Sequence, residues 1–281
     1  MNNWFVERLH KGSGQKLLIE NLVYQGKTAF QDVVIFDTPG FGRVLALDDV
    51  FQTSTRDEFV YHEMLAHVPM LSHGNVKSVL IIGGADGGML EEVLKHPVDN
   101  VTMVDIDGEL IELAKLHLRE ICGDAFEDPR ATVLVDDGIQ FVSDCTEGFD
   151  LIIVDSTDPQ GPGEVLFSRE FYEHCRRILN DGGLVVTQNG VPFHQPAEII
   201  NTRSRWQGLF DASGFYLAAV PGYVGGFMAL GWGGASIDLT AINLDQIASR
   251  FESLDLKTEY YTPEIHRAAF ALPPYVQSLM D

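Results

Sequence analysis

Between residues 77 and 188, short apolar runs rich in Val, Ile and Leu alternate with stretches whose apolar residues recur at helical spacing. The runs fall at 77–82, 101–105, 131–135, 149–154 and 183–188, and the helical stretches at 88–95, 108–119, 138–143 and 169–178. Near-continuous apolar runs of this length suit strands covered on both faces. Strand and helix in regular alternation leave few topologies, and the favoured one is a doubly wound, mostly parallel sheet. The fold class expected is therefore α/β.

Residues 4 to about 53 follow another pattern. The β-rich runs 16–25, 32–36 and 43–47 are separated by turn signals at Gly26-Lys27, Thr38-Pro-Gly40 and Asp48-Asp49. Hairpins of this size need a surface to pack on. The expected division is a small N-terminal β-hairpin domain, 1–53, and an α/β domain, 54–281. From Asp57 the period becomes helical, through Phe59, Val60, Met64, Leu65 and Val68. After the alternating region come a helix near 196–211 and a Gly-rich strand pair between Tyr216 and Trp232. Two helices follow, near 244–253 and from Pro263, with Thr262 as N-cap of the second.

Forty-one acids against nineteen bases give a net charge of −22. Nucleic acids and anionic membranes reward Lys/Arg clusters, so this balance argues against both as partners. A negative field concentrates small cations instead. Cys122, Cys145 and Cys175 are odd in number and lack metal-ligand spacing, which suits free thiols in a reducing, cytoplasmic compartment. The start of the chain carries charge where a signal peptide needs an apolar run, and Pro221 with its neighbouring glycines breaks the least polar stretch.

Val79 to Leu90 reads as a strand, a glycine turn around Gly83 and Gly84, and the start of a helix. Glycines there let a ligand approach the backbone near the positive end of the helix dipole. As a dinucleotide fingerprint the turn fails at Ala85, and Asp86 is a poor neighbour for a pyrophosphate. Asp105 ends the next strand, where an acid commonly accepts ribose hydroxyls. Asp136-Asp137-Gly138 ends the third; one carboxylate there can take the adenine amino group while the next caps a helix. The three features in order suggest an adenosine site without phosphates, as in adenosylmethionine enzymes.

Asp155 and Asp158 emerge where the run Phe149–Val154 ends, on a loop holding Pro159, Gly161, Pro162 and Gly163. Ligands of open α/β sheets bind at these strand ends. With no basic residue from 155 to 164, the pair suits a cationic substrate, though solvated surface acids are an alternative. The connection 157–167 is long for a strand-to-helix link, so it is expected to close over ligands.

Taken together, Gln31-Asp32, Asp57-Glu-Phe-Val-Tyr-His-Glu-Met64, Leu80 to Gly88, Asp155 to Glu164, Gln188-Asn-Gly190, Pro221 to Gly226 and the Ala-Ala-Phe-Ala-Leu-Pro273 tail resemble the bacterial spermidine synthases over nearly the whole chain. The resemblance implies a methyltransferase-like catalytic domain. It also implies transfer of aminopropyl from decarboxylated S-adenosylmethionine to putrescine, with that sulfonium as co-substrate and no permanently bound cofactor. It implies Asp155 as proton acceptor, and Tyr61, His62, Asp86, Asp158, Gln188 and Tyr223 around the amine. Gln31, Gly83, Gly84, Asp86, Asp105, Asp137, Gly138 and Pro162 would hold the adenosyl substrate. Trp4 is a further candidate wall of the amine pocket. Homodimers and homotetramers are the family's assemblies. Two residues depart from the family pattern: Ala85 replaces a glycine, and Asp105 a glutamate.

Asp86 would select the substrate, because a carboxylate repels the α-carboxylate of intact S-adenosylmethionine and attracts a bare ammonium; as a helix N-cap it has a second, compatible use. No His/Cys/acid cluster has metal spacing, so no metal is expected. Open alternatives are the same chemistry on cadaverine, agmatine or spermidine, a methyltransferase, and a non-catalytic polyamine binder.

Overall fold

The computed structural model describes residues 4–157 and 166–281. At the N-terminus β1 (Trp4–Val6) pairs antiparallel with β2 (Lys16–Leu18). Four more strands, β3 (Asn21–Lys27), β4 (Asp32–Thr38), β5 (Gly42–Leu47) and β6 (Val50–Ser54), form an antiparallel meander. Asp48 and Asp49 make the tight β5–β6 turn in the left-handed region, with φ of 48° and 63°, which short polar side chains tolerate. Alternation along β4 gives the sheet two apolar faces. Val33 and Ile35 join the main core beside Val60, Tyr61 and Met64, whereas Phe36 packs with Val44, Phe51, Phe5 and Leu17. The meander thus rests on the rest of the molecule through one face and is covered by the β1–β2 ribbon on the other.

α1 (Glu58–His73) follows and is buried continuously from Val60 to Ser72, charged residues included. Fully burying each large apolar side chain contributes about 1.5–3 kcal/mol. The polar residues are paired: the Glu63 carboxylate accepts the backbone N–H groups of Glu259, Tyr260 and Tyr261 at 2.6–2.9 Å. Then come β7 (Ser78–Gly83), α2 (Gly88–Leu94), β8 (Asn100–Asp105), α3 (Gly108–His117), α4 (Arg119–Cys122), β9 (Ala131–Val135), α5 (Gly138–Asp144) and β10 (Phe149–Asp155). After the undescribed residues the chain runs through α6 (Arg169–Arg177), β11 (Leu179–Gln188), α7 (Pro196–Trp206), β12 (Ala212–Ala218) and β13 (Met228–Gly234). It ends in α8 (Leu244–Leu254), α9 (Pro263–Ala269) and α10 (Pro274–Gln277).

The seven-stranded sheet has the order β12-β13-β11-β10-β7-β8-β9. Its five strands from β11 to β9 are parallel; β13 and β12 are added antiparallel. From β7 the chain winds outward through β8 and β9, then returns to β10 and winds the other way. The reversal lies between β7 and β10, where such sheets bind ligands.

The doubly wound sheet matches the expectation; several boundaries do not. α7 stops at Trp206, short of 211, because Gly208 turns at φ 72° and Ala212 already enters β12. β11 starts at Leu179, not 183, since Phe149 pairs with Leu179 before a register shift. Thr262 caps α9 as expected, accepting from Ile265 N at 3.1 Å. All three cysteines are free thiols, and no described helix is long and apolar enough to cross a membrane.

Candidate active site

At the sheet's reversal point two glycines let the backbones of β7 and β10 meet beyond the regular ladder. Gly83 and Gly84 have φ of 89° and 79°. A Cβ on Gly83 would collide with the carbonyl oxygen of Asp155, and Gly84 N–H donates to that oxygen at 2.9 Å. The close approach at Gly83 is therefore to the neighbouring strand, whereas the sequence suggested a ligand. Its effect is to hold Asp155 at the floor of a cavity of about 470 Å³.

Every described residue among the sequence candidates except Trp4 lines this one cavity. At one end stand Gln31, Asp105, Asp137 and Gly138; at the other stand Tyr61, His62, Asp86, Asp155, Gln188 and Tyr223; Gly83 and Gly84 lie between. Asp158 and Pro162, with most of the connection 157–167, lie outside the described residues. Trp4 does not line the cavity: it is 49% exposed on β1, and the N-terminal wall is built by Glu7, Leu9 and His10 instead.

The acids at the Gln31 end are fixed by backbone amides. Asp105 accepts Asp107 N–H at 2.8 Å. Burial, opposed by that bond and reinforced by the charges of Asp107 and Asp155, raises its carboxyl to about 6. Asp137 caps α5, accepting from Ile139 N at 2.8 Å and Gln140 N at 3.4 Å. It is thus both the helix cap and the pocket acid, roles the sequence divided between Asp136 and its neighbour. Gln31 donates its amide to Asp107 Oδ2 at 2.9 Å, and Thr28 Oγ1 donates to the same oxygen at 2.6 Å. Asp107 Oδ1 meanwhile caps α3 through Leu110 N at 3.1 Å.

The acids at the other end have ionisable side chains as partners, with one backbone amide beside them. Tyr61 Oη donates to Asp155 Oδ1 at 2.7 Å. Removal from water raises Asp155 to about 6, against the pull of His62 and the Tyr61 hydroxyl and with help from Asp86. Asp86 does not occupy the N-cap position of α2; Gly87 does, at φ 81°. Its Oδ1 nevertheless accepts Gly88 N–H at 3.0 Å, and its Oδ2 lies 3.7 Å from His62 Nε2. His62 Nδ1 sits 2.6 Å from Glu58 Oε2, one helical turn earlier. Burial alone would lower the His62 pKa, but Asp86, Glu58 and Asp155 outweigh it and raise it to about 10.

Two candidates are tied into the scaffold. Gln188 donates to Ser156 O at 3.1 Å and accepts from Gly190 N at 3.0 Å, so its amide bridges two strand ends. Tyr223 donates to Gln52 O at 2.7 Å and meets Tyr61 edge-on at 6.0 Å. The turn carrying Tyr223 is anchored by Asp57, buried at the start of α1, whose Oδ2 accepts Gly222 N–H at 2.7 Å. Asp57, Glu58 and Asp107 were missed as participants. Each sits beside a candidate residue in the sequence or ends a strand–helix turn, but only the folded chain gives it that partner.

Among the described residues no Lys or Arg lines the cavity. That lining rejects phosphates and favours a cation at the Asp86–Asp155 end. His62, Asp86 and Asp155 offer ligand atoms within 4.8 Å of one another, a grouping that sequence spacing could not reveal. A protonated imidazole has no lone pair for a metal, so in this state the trio is an ion-pair cluster in which two carboxylates share one cation.

A doubly wound sheet with a cavity at its reversal point defines a methyltransferase-like α/β enzyme. Residues 58–243 match the spermine/spermidine synthase domain, and residues 3–55 match the spermidine synthase tetramerisation domain. A polyamine aminopropyltransferase of a Ruegeria species is 50% identical over 277 residues, 98% of each chain. Polyamine aminopropyltransferase 1 of Pseudomonas aeruginosa is 50% identical over 273 residues, 97% of this chain and 96% of its own. Among solved structures, a spermidine synthase in complex with the transition-state analogue AdoDATO superimposes with a TM-score of 0.93 at 35% identity. That match covers 99% of this chain and 94% of the other. The Thermotoga maritima spermidine synthase gives 0.92 at the same identity and coverage. The chain belongs to the spermine/spermidine synthase family and is a polyamine aminopropyltransferase.

Proposed function

We propose that the enzyme transfers the aminopropyl group of decarboxylated S-adenosylmethionine to putrescine, giving spermidine and 5'-methylthioadenosine. The observation that carries this reading is the two-ended cavity: acids on backbone amides at one end, acids with Tyr61 and His62 at the other, and no Lys or Arg among the described lining residues. The first end suits the neutral hydroxyls and amino group of an adenosyl moiety, with Asp105 on the ribose, Asp137 on the adenine and Gln31 beside them. The second suits ammonium groups. Asp86 faces the aminopropyl ammonium and, by repulsion, disfavours intact S-adenosylmethionine, which carries a carboxylate there.

In the reaction a neutral amine nitrogen attacks the carbon beside the sulfonium. The new C–N bond forms as the C–S bond breaks, its electron pair neutralises sulfur, and the nitrogen sheds a proton to the Asp155 carboxylate. An alkyl amine has a pKa near ~10, so one end of the diamine must arrive deprotonated. Asp155 is placed to orient that end and to stabilise the positive charge that grows on nitrogen, with the Tyr61 hydroxyl fixing its carboxylate. Tyr223, Gln188 and Asp158 complete the amine site, and Pro162 the adenosyl site, in this reading. Residues 1–53 would form the assembly domain of a homo-oligomer, the matching family being described as a tetramerisation domain. Free thiols suit a cytoplasmic enzyme.

The test is an amine panel, comprising putrescine, cadaverine, agmatine and spermidine, with decarboxylated S-adenosylmethionine and products identified by mass. Putrescine is expected to give spermidine plus methylthioadenosine at the highest kcat/KM. Preferential transfer to another amine would replace the acceptor, and binding without methylthioadenosine release would end the catalytic reading.

A further inference from the structure

Glu58 and His62 form a pair whose geometry fixes a proton. His62 is 2% exposed, and its Nδ1 is 2.6 Å from a Glu58 carboxylate oxygen, a short hydrogen bond in which an ionised Glu58 accepts from Nδ1–H. The ring packs on Gly88, where a Cβ would collide with its Cε1, so its plane is held against α2. Nε2 is thereby aimed at Asp86 Oδ2, 3.7 Å away. A neutral ring with its proton on Nδ1 would turn a lone pair toward that carboxylate, and the two would repel. Three states avoid that repulsion: Nε2 carries a proton, Asp86 carries one, or a cation stands between them.

The surroundings supply no other described cation. α1 contributes Asp57, Glu58 and Tyr61; the turn after β7 contributes Asp86; the end of β10 contributes Asp155. Tyr223 meets Tyr61 across the cavity, and α4 contributes Cys122, whose thiol points to Ala114 O at 3.9 Å. On α2, Glu91 is bridged to Lys95 at 2.9 Å. Among the described residues no Lys or Arg is hydrogen bonded or ion-paired to Asp57, Glu58, Asp86 or Asp155.

We propose that His62, held by Glu58, is a resident cation of the empty amine site that yields its place to the substrate ammonium. As the ammonium enters, the Nε2–H bond breaks, its electron pair stays on nitrogen and the proton leaves to solvent. Nε2 changes from donor to acceptor and takes a hydrogen bond from the incoming ammonium. Glu58 is a positioning residue: it keeps the remaining proton on Nδ1, so the freed lone pair faces the cavity. The elevated pKa of His62 in the empty site agrees with this charge state. The inference rests on reading this end of the cavity as the amine site.

Isothermal titration of methylthioadenosine-loaded enzyme with putrescine, in two buffers of different ionisation enthalpy, counts the protons released. At pH 8 wild type should release about one proton more than His62→Gln, since any proton lost by putrescine itself is common to both. Glu58→Gln keeps the imidazole and should lower the extra release. Equal counts in wild type and His62→Gln would overturn the proposal. Nitrogen NMR of the empty enzyme tests it without any ligand: His62 should show an imidazolium at pH 8, and a neutral ring there would overturn it even if the acceptor amine proved to be another. Failure to make spermidine in the amine panel would overturn the substrate reading and leave the NMR result to decide the charge of His62.

Discussion

The two ends of the cavity use the same residue type in opposite ways. Asp105, Asp107 and Asp137 are bonded to backbone N–H groups at β-strand ends and helix starts, partners that never titrate. Asp155 instead faces Tyr61, and Asp86, which also accepts Gly88 N–H through one oxygen, turns the other to His62; the protons of these side chains can move. A carboxylate on backbone amides is a fixed acceptor, suited to neutral hydroxyls. A carboxylate among ionisable side chains belongs to a network whose charge adjusts when a cation enters. The fold supplies the first kind wherever a parallel strand feeds a helix. The second kind requires α1, an element outside the sheet, to bring its own titratable face.

That contrast can be broken by mutation. The largest effect is expected for Asp155→Asn, which should lower kcat by about 10²–10⁴, the usual range for a positioned proton-transfer group. Methylthioadenosine should still bind, because the other end is untouched; calorimetry beside turnover checks this, and loss of both would merge the two ends. Asp86→Ala should shift the preference for decarboxylated over intact S-adenosylmethionine by about 10²-fold, the loss of a partly buried charge partner worth ~3 kcal/mol. Competition binding with the two sulfonium compounds reads that ratio.

pH reaches both ends, because Asp105 and Asp155 are each raised to about 6, so mutation must assign the acid limb. Asp155 must be ionised to serve an amine, and its pKa is raised to about 6, so kcat/KM should fall as pH drops through about 6 rather than near the ordinary carboxylate value. Tyr61 donates to the ionised form; Tyr61→Phe should therefore move this acid limb to higher pH. A limb that stays in place would remove Asp155 from the profile. The smallest effect is at the adenosyl end: Asp107→Asn keeps the α3 cap but weakens the charge-assisted bond to Gln31. It should raise KM for the sulfonium substrate by about fivefold, ~1 kcal/mol, with kcat unchanged.

The sheet was legible because Val, Ile and Leu runs ending in Gly83, Asp105 and Asp155 admit few other folds. The candidate residues were legible because they cluster at those strand ends, and the described ones, Trp4 aside, do share one cavity. Partners of partners were not legible. Gln31 and Asp107 are 76 residues apart and meet only because the N-terminal meander rests near the start of α3. Glu58 is a first-turn acid of α1, and nothing local says that its neighbour one turn on is buried against Gly88. Trp4 misled because a large aromatic near an expected pocket invites inclusion, while the strand that carries it leaves it half in solvent. The end of α7 was missed because the apolar residues beyond Trp206 continue a helical period that the turn at Gly208 breaks.

Asp57 has a consequence for the order in which the molecule comes into being. Its carboxylate joins Ser54, at the end of the N-terminal meander, to Gly222, 165 residues after Asp57 itself. The meander is built from neighbouring hairpins and needs little chain to close, whereas this link must wait until β12 and the turn after it exist. On a ribosome the early sheet, the glycine turn and the strand-end acids emerge first, yet the wall bearing Tyr223 arrives only with the last quarter of the chain. An unfinished chain therefore carries acids without a closed chamber, and capacity to handle an amine is conferred late, by one buried carboxylate that waits for its distant N–H.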